Sequence, residues 1–405
     1  MSPSRAGRRS LRAAVGAIAA AALLGGFTLH GASASAARPA RPTASSTILI
    51  GMVSGTSGAY SSGAIALLDG ALLAVDDLNH RGGALGRRFT LQSYDDEAQP
   101  ALAAKLFERL AGAGAVAILG SADAGPATAA AADQLKVPDL GVLDDSAATI
   151  YPDGASRPPL PWVWNSGPDS AAVGALDAAY ALRSCRRLAV LHDTTSYGDG
   201  GEAAIASAYA AAHRTLALDD AVRENWSTGA PASPAGEVAK VKASRADCVL
   251  AWLTPGDTAA LAQALRSSHV GVTLLGNDAM AAGTTFPLLA GPAAAGAIAP
   301  EFTTQVHPSA ALASFDKSYQ AKFHLAANAY AIAEYDAVMM LGQVIAKQRS
   351  TSSAALQAGL DAISNSRQLQ GSVSFSRQDH APVSAQQLTL ARFDAASKTW
   401  QRLGS

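Results

Sequence analysis

The chain has 405 residues, 49% hydrophobic and 16% charged, which is long enough for about two globular units and too apolar for a disordered polymer. Its formal net charge of −1 leaves no basic field for nucleic acid or an anionic lipid surface. With 94 alanines and only 6% aromatic residues, its elements must pack through small and aliphatic side chains, leaving few aromatic platforms for a ligand.

At the N-terminus Arg5, Arg8, Arg9 and Arg12 precede an apolar stretch from Ala13 to Leu29. Ala32-Ser33-Ala34 and Ala34-Ser35-Ala36 then offer small-residue cleavage sites. Residues 1–36 therefore read as a signal peptide and 37–46 as a flexible leader. A transmembrane anchor is the competing reading, weakened by the Ala/Gly-rich composition of the apolar run. The Arg8-Arg9 pair fits twin-arginine and general secretory export alike. No Cys precedes Cys185, so the acylated cysteine of a lipoprotein is missing. The expectation is an exported, periplasmic or secreted protein associated with the cell envelope, not a lipoprotein.

From Thr47 short apolar runs alternate with helical periodicity. TILIGMV reads as a buried strand, and Leu68, Ala71, Leu72, Val75 and Leu78 then share one helical face. RFTLQSYDD, a helix carrying Leu102, Leu106 and Leu110, AVAILG, a helix from Pro126 to Leu135, and VPDLGVLD continue the alternation. Such a pattern predicts a parallel sheet with helices on both faces and ligands beyond the C-terminal strand ends. After the Pro-rich DGASRPPLPW the pattern restarts with a helix over 169–182, RRLAVLHD, a helix from Asp199, RTLALDDAV, a helix near 234–243, DCVLAWL, a helix to Ser267, and VTLLGND. The polar ENWSTGAPASPAG reads as a surface connection. Two long helices around SFDKSYQAKF and AYAIAEYDAVMMLGQVIAK follow, and GSVSF, QLTLARF and TWQRL read as closing strands.

Cys185 and Cys248 stand just before RRLAVLHD and VLAWL. If these are the first and third strands of one doubly wound sheet in spatial order 2-1-3, they are neighbours and both sulfurs lie at the same end. A disulfide is then expected in an exported protein, with two buried free thiols as the alternative.

Ser57, Gly58, Tyr60, Gly63, Gly70, Asn79, Gly82, Gly83, Gly86, Asp95 and Asp96 form a spaced set. LHDTTSYGDG, the Gly276-Asn277-Asp278 triplet, Tyr335-Asp336-Ala337 and LQGSVSF follow it. In these features the chain resembles the branched-chain amino acid binding proteins, the Leu/Ile/Val type of ABC-transporter solute receptor, over nearly all of residues 47–403. The resemblance implies an α/β protein of two Rossmann-like, doubly wound lobes joined by a three-strand hinge, with the ligand cleft between them. Crossings near Ser166, Glu301 and Asp379 would give one lobe from 46–166 plus 302–378 and another from 167–301 plus 379–405.

It also implies a ligand carboxylate held at a helix N-terminus in GSADAGPAT, where Asp123 and Ala124 stand and Asp123 is equally a helix cap. The next loop presents Asp144, Asp145 and Ser146 or, if it is longer, Ala148 and Thr149, in a register uncertain by several residues. Three carboxylates there would repel a ligand carboxylate, so either the solute is cationic or otherwise unlike leucine, or the acids turn outward. In the second lobe the resemblance gives Tyr197 as an aromatic cover and Asp278 as the partner of the ligand ammonium, with a turn Asp as the alternative for Asp278. Thr254 is a weaker candidate. Ser62 stands where relatives often place an aromatic lid, and Tyr60 leans either into that space or into the packing.

No Walker loop, GxSxG elbow, HExxH motif or Cys/His cluster appears, so neither an enzyme nor a bound metal or cofactor is expected. His192, Asp193 and Ser196 are too close in sequence to adopt a catalytic-triad geometry. The resemblance implies a monomer that delivers a small solute to an ABC permease. A sensor on the same fold and a receptor for a protein partner remain open alternatives.

Overall fold

A computed structural model describes residues 47–57, 61–122, 124–142, 147–154, 157–223, 233–306, 308–383 and 386–403. All belong to one compact unit, Ser45–Ser405. The chain begins β1 (Thr47–Ser54), α1 (Ser61–His80), β2 (Arg88–Asp95), α2 (Pro100–Gly112), β3 (Ala117–Leu119), α3 (Gly125–Leu135), β4 (Asp139–Gly141), α4 (Ala147–Ile150) and β5 (Val163–Asn165). The five strands form one parallel sheet in the order β2-β1-β3-β4-β5.

The second lobe contains α5 (Ser170–Ser184), β6 (Leu188–Asp193), α6 (Ser196–Ala211), β7 (Leu218–Val222), α7 (Ala235–Ser244), β8 (Cys248–Trp252), α8 (Pro255–Ser267), β9 (Thr273–Gly276), α9 (Asp278–Ala281), α10 (Thr285–Ala290) and β10 (Ile298–Phe302). After α11 (Thr303–Val306) come α12 (Ala310–Phe323), α13 (Ala329–Gln348), α14 (Ser353–Leu360), the hairpin β11 (Ser366–Gln368) and β12 (Gly371–Val373), and finally β13 (Leu388–Asp394) and β14 (Thr399–Arg402). The second sheet runs β14-β13-β10-β9-β8-β6-β7. Both sheets thus contain the doubly wound 2-1-3 order that the alternation of elements predicted.

Three strands escaped the sequence reading. β5 and β11 have only three residues each, and β10 contains Pro300 and Glu301, which dilute any strand signal. Pro300 is tolerated because β9 meets β10 only at Leu275 and Ile298, while β13 pairs antiparallel along its whole length. The chain passes between the sheets where Asn165 N–H donates to His380 O at 2.8 Å and Pro168 bridges Val383.

α13 is buried nearly all round because it lies between α1, α14 and β4. Close approach of α1 requires glycine: a Cβ on Gly70 would stand 2.2 Å from Ala331 O, and one on Gly342 would stand 2.6 Å from the Leu78 side chain. In the turn before β2, Gly83 has φ +73° and a Cβ there would meet Arg87 O at 2.0 Å. In the second lobe, Leu188 of β6 lies opposite Cys248 of β8. Cys185 and Cys248 form a disulfide with a Cα–Cα distance of 5.8 Å. Asp247 ties the same corner by accepting from the N–H groups of Arg186 and Arg187.

Candidate functional site

Between the lobes lies a cavity of about 750 Å³, with walls formed by α1, the β3–α3 loop, the N-termini of α6 and α9, the end of β10 and residues 325–330. A void of about 10 Å³ adjoins it in the wall, where Asp278, Glu301 and Tyr330 meet. No Lys, Arg or His occurs among the described lining residues.

Tyr197 reaches the cavity because Thr195 caps α6, its hydroxyl accepting from Gly198 N–H at 3.2 Å. The Tyr197 ring tilts against Trp252 at 5.3 Å, and its hydroxyl donates to Asp278 Oδ1 at 2.7 Å. Gly201 makes room for Trp252, whose ring would lie 2.1 Å from any added Cβ. In the Gly-Asn-Asp turn Asn277 does the capping: its Oδ1 accepts from Met280 N–H and its Nδ2 donates to Leu253 O. Asp278 is thereby left to open α9 and face Tyr197. Burial pushes its carboxyl above the ordinary value, opposed by the Tyr197 hydroxyl.

Two further carboxylates crowd this wall. Glu301, 5% exposed, accepts from the N–H of Phe302 at 2.9 Å, and burial together with the charge of Asp278 pushes it up to about 8. Asp177 on α5 is 1% exposed, and neither of its oxygens has a hydrogen-bond partner among the described residues. Burial and the charge of Asp278 raise it well above the carboxylate range. Glu301 entered the sequence reading only as a crossing point, and Asp177 not at all. Asp177 falls on the Val173–Ala181 stripe at i, i+4 spacing, and an acid on an apolar stripe is a signal that could have found it.

On the first lobe Asp69 lines the cavity, with the Tyr319 hydroxyl donating to it at 3.4 Å. Beneath the β4 end, Glu334 accepts from Val142 N–H at 2.8 Å and burial pushes it up to about 8, with the charge of Asp139 adding to the effect. Asp139 is itself pushed up to about 7 by burial, opposed by the Thr128 hydroxyl and Gly120 N–H. Glu334 therefore fixes the backbone at Val142, just past the end of β4.

The remaining expectations divide. Ser62 lines the cavity, exposed at the start of α1. Ala124 is buried and occupies the N-cap of α3, so the cap falls one residue beyond Asp123, with Ser121 accepting from its N–H at 3.1 Å. Its neighbour Ala122 lines the cavity instead. The Thr254 hydroxyl caps α8, accepting from Asp257 N–H and donating to Asp257 Oδ2, both at 3.0 Å, and the following Pro255 reaches the cavity. Tyr60, Asp123, Asp144, Asp145 and Ser146 lie outside the described residues. His192 turns Nδ1 to Asp193 O at 2.9 Å. Among the described residues no group of three His, Cys, Asp or Glu could hold a metal, and no helix is long and apolar enough to cross a membrane.

The model of the periplasmic binding protein family matches residues 47–398. The Leu/Ile/Val-binding protein BraC3 of Rhizobium johnstonii is 25% identical over 263 residues, covering 64% of this chain and 68% of that protein. A type 1 periplasmic binding protein from Bordetella pertussis superposes with a TM-score of 0.80 at 20% identity, covering 89% of this chain and all of that one. The Streptococcus pneumoniae LivJ structure, in complex with isoleucine, gives 0.75 at 18% identity, covering 88% and 99%. A solute binding protein of Rhodopseudomonas palustris, in complex with 3,4-dihydroxybenzoic acid, gives 0.74 at 16%, covering 88% and 96%. One two-lobed architecture thus houses chemically different solutes, and the match over residues 47–398 places this chain in the periplasmic binding protein family.

Proposed function

We propose that the protein is the extracytoplasmic solute receptor of an ABC importer, closing its two lobes on an amino acid or related small polar solute. The observation that carries this reading is Asp278. It is a buried acid held by Tyr197, a lining residue of an inter-lobe cavity without a described lining cation, and it borders the small void beside that cavity, where a ligand ammonium would find its counter-charge. Closure removes the ligand from water, so each polar group needs a partner inside, and the wall supplies acceptors for an ammonium. Affinity then arises from the differential contacts of the closed state. The cleaved N-terminal segment and the permease partner belong to the same reading.

A thermal-shift screen of the protein, refolded once to strip bound solute, tests it. A ligand at about 100 times its Kd adds about 2.7 kcal/mol to the folded state. The expected result is a rise in Tm with an amine-bearing solute that Asp278→Asn abolishes. An undiminished rise in that variant would remove Asp278 from the site.

A further inference from the structure

We propose that the solute carries net positive charge, with an amine or guanidine group beyond its α-ammonium answered by Glu301. The inference rests on the receptor reading above and names the substrate class of that site.

One carboxylate suffices for the single ammonium of a neutral amino acid, and Asp278, fixed by Tyr197, supplies it. Glu301 is then surplus. It lines the main cavity and also the void of about 10 Å³ that it shares with Asp278, so the two acids are neighbours, with Glu301 the one that faces the cavity. Among the described residues its own hydrogen-bond donor is the N–H of Phe302, which serves Oε1. Behind them Asp177 is buried with both oxygens unpartnered, its charge opposing that of Asp278. Across the cavity Asp69 adds a further carboxylate, and the buried Oε1 of Gln305 is an acceptor without a partner among the described residues. Trp400 Nε1 is an unpartnered donor on the same cavity, but it sits on the β14 side against Phe286 and Phe393.

Such a wall is unfavourable while empty, because buried carboxylates without counter-charge repel one another and resist ionisation. A cationic guest reverses each of these terms, whereas a zwitterion of zero net charge leaves Glu301 unanswered and its own carboxylate facing an acidic cavity. Size points the same way. A volume of about 750 Å³ falls within the range that holds ligands larger than a branched aliphatic amino acid. At its rim Ile65 and Leu325, 42% and 55% exposed, offer an apolar surface for the methylenes of a longer chain.

Isothermal titration of the refolded protein with leucine, citrulline and arginine separates the readings, since citrulline keeps the length of arginine and removes its charge. Arginine is expected to bind at least 10-fold more tightly than citrulline or leucine. Glu301→Gln is expected to lower arginine affinity at least 10-fold while leaving citrulline affinity unchanged or raised. Should Glu301→Gln fail to fold, the wild-type arginine-to-citrulline ratio carries the test by itself. Leucine or citrulline binding as tightly as arginine would overturn the inference and leave the receptor reading intact. An absence of binding by all three would overturn the inference, while the receptor reading falls only if the thermal-shift screen is silent as well.

Discussion

Replacing Tyr197 by Phe removes one hydroxyl and keeps the ring against Trp252, so its cost includes the 2.7 Å hydrogen bond to the buried Asp278, and the comparison with an Asp278→Ala background separates that bond from the rest. A bond to a charged group is worth about 1.5–3 kcal/mol, and removing the donor leaves a buried carboxylate with less compensation. The expected penalty at pH 8 is therefore about 2 kcal/mol. Asp278→Ala behaves differently. It takes away a charge that Asp177 and Glu301 both oppose, so the variant is expected to be near neutral or stabilised despite the lost side chain. In the Asp278→Ala background Tyr197→Phe should then cost less than about 0.5 kcal/mol, a coupling of about 1.5 kcal/mol or more for residues in direct contact. Urea unfolding of the four proteins without solute measures the cycle. An equal Tyr197→Phe penalty in both backgrounds would show that the residue acts through packing on Trp252, and the argument that it positions Asp278 would fall.

Three further outcomes are expected. Cys185→Ala with Cys248→Ala opens a loop of 63 residues and should lower stability by about 4 kcal/mol on the loop-entropy relation, read by urea unfolding; a loss under about 1 kcal/mol would mean the unfolded chain is already constrained there. Gly70→Ala drives a methyl to 2.2 Å from Ala331 O, so it should destabilise by about 1–3 kcal/mol despite the better helix propensity of Ala, and a gain in Tm would show that α1 moves away freely. Asp139 and Asp336 are pushed up to about 7, and Glu301 and Glu334 to about 8, from unfolded values near 4. Above pH 5 the unfolded state therefore binds fewer protons than the folded one. Solute-free stability should fall as pH rises from about 5 to 8, and a urea midpoint that climbs over that range would refute the sign.

The scaffold was legible because its central strands are buried on both faces. TILIGMV, LAVLHD and CVLAW read as unbroken apolar runs, each followed by a helix with its own stripe, and that alternation admits few arrangements other than a doubly wound sheet. The antiparallel return of β13 beside β10 was not legible, since pairing partners distant in sequence leave no local periodicity. The site divides along the same line. Asp278 and Tyr197 were named through the resemblance to the branched-chain amino acid binding proteins, and the structure brings the two into one hydrogen bond. Thr254 stands at the N-cap of α8, where the hydroxyl that would suit a ligand accepts from a helix N–H.

Glu301 and Asp177 show what single-sequence reasoning lacks. Each sits in an otherwise apolar segment, the β10 strand and the inner face of α5, where local rules ask for a hydrophobic residue. Their meaning emerges only when folding brings both to Asp278 from elements far away in sequence. Where local preference and tertiary placement disagree at two positions around Asp278, the compensation is to be sought in what the site receives. A cavity whose described lining has carboxylates on both lobes and no cation is completed electrostatically by its solute. Glu301 is therefore both one of the acids that make the empty protein less stable as pH rises and the one expected to choose the guest.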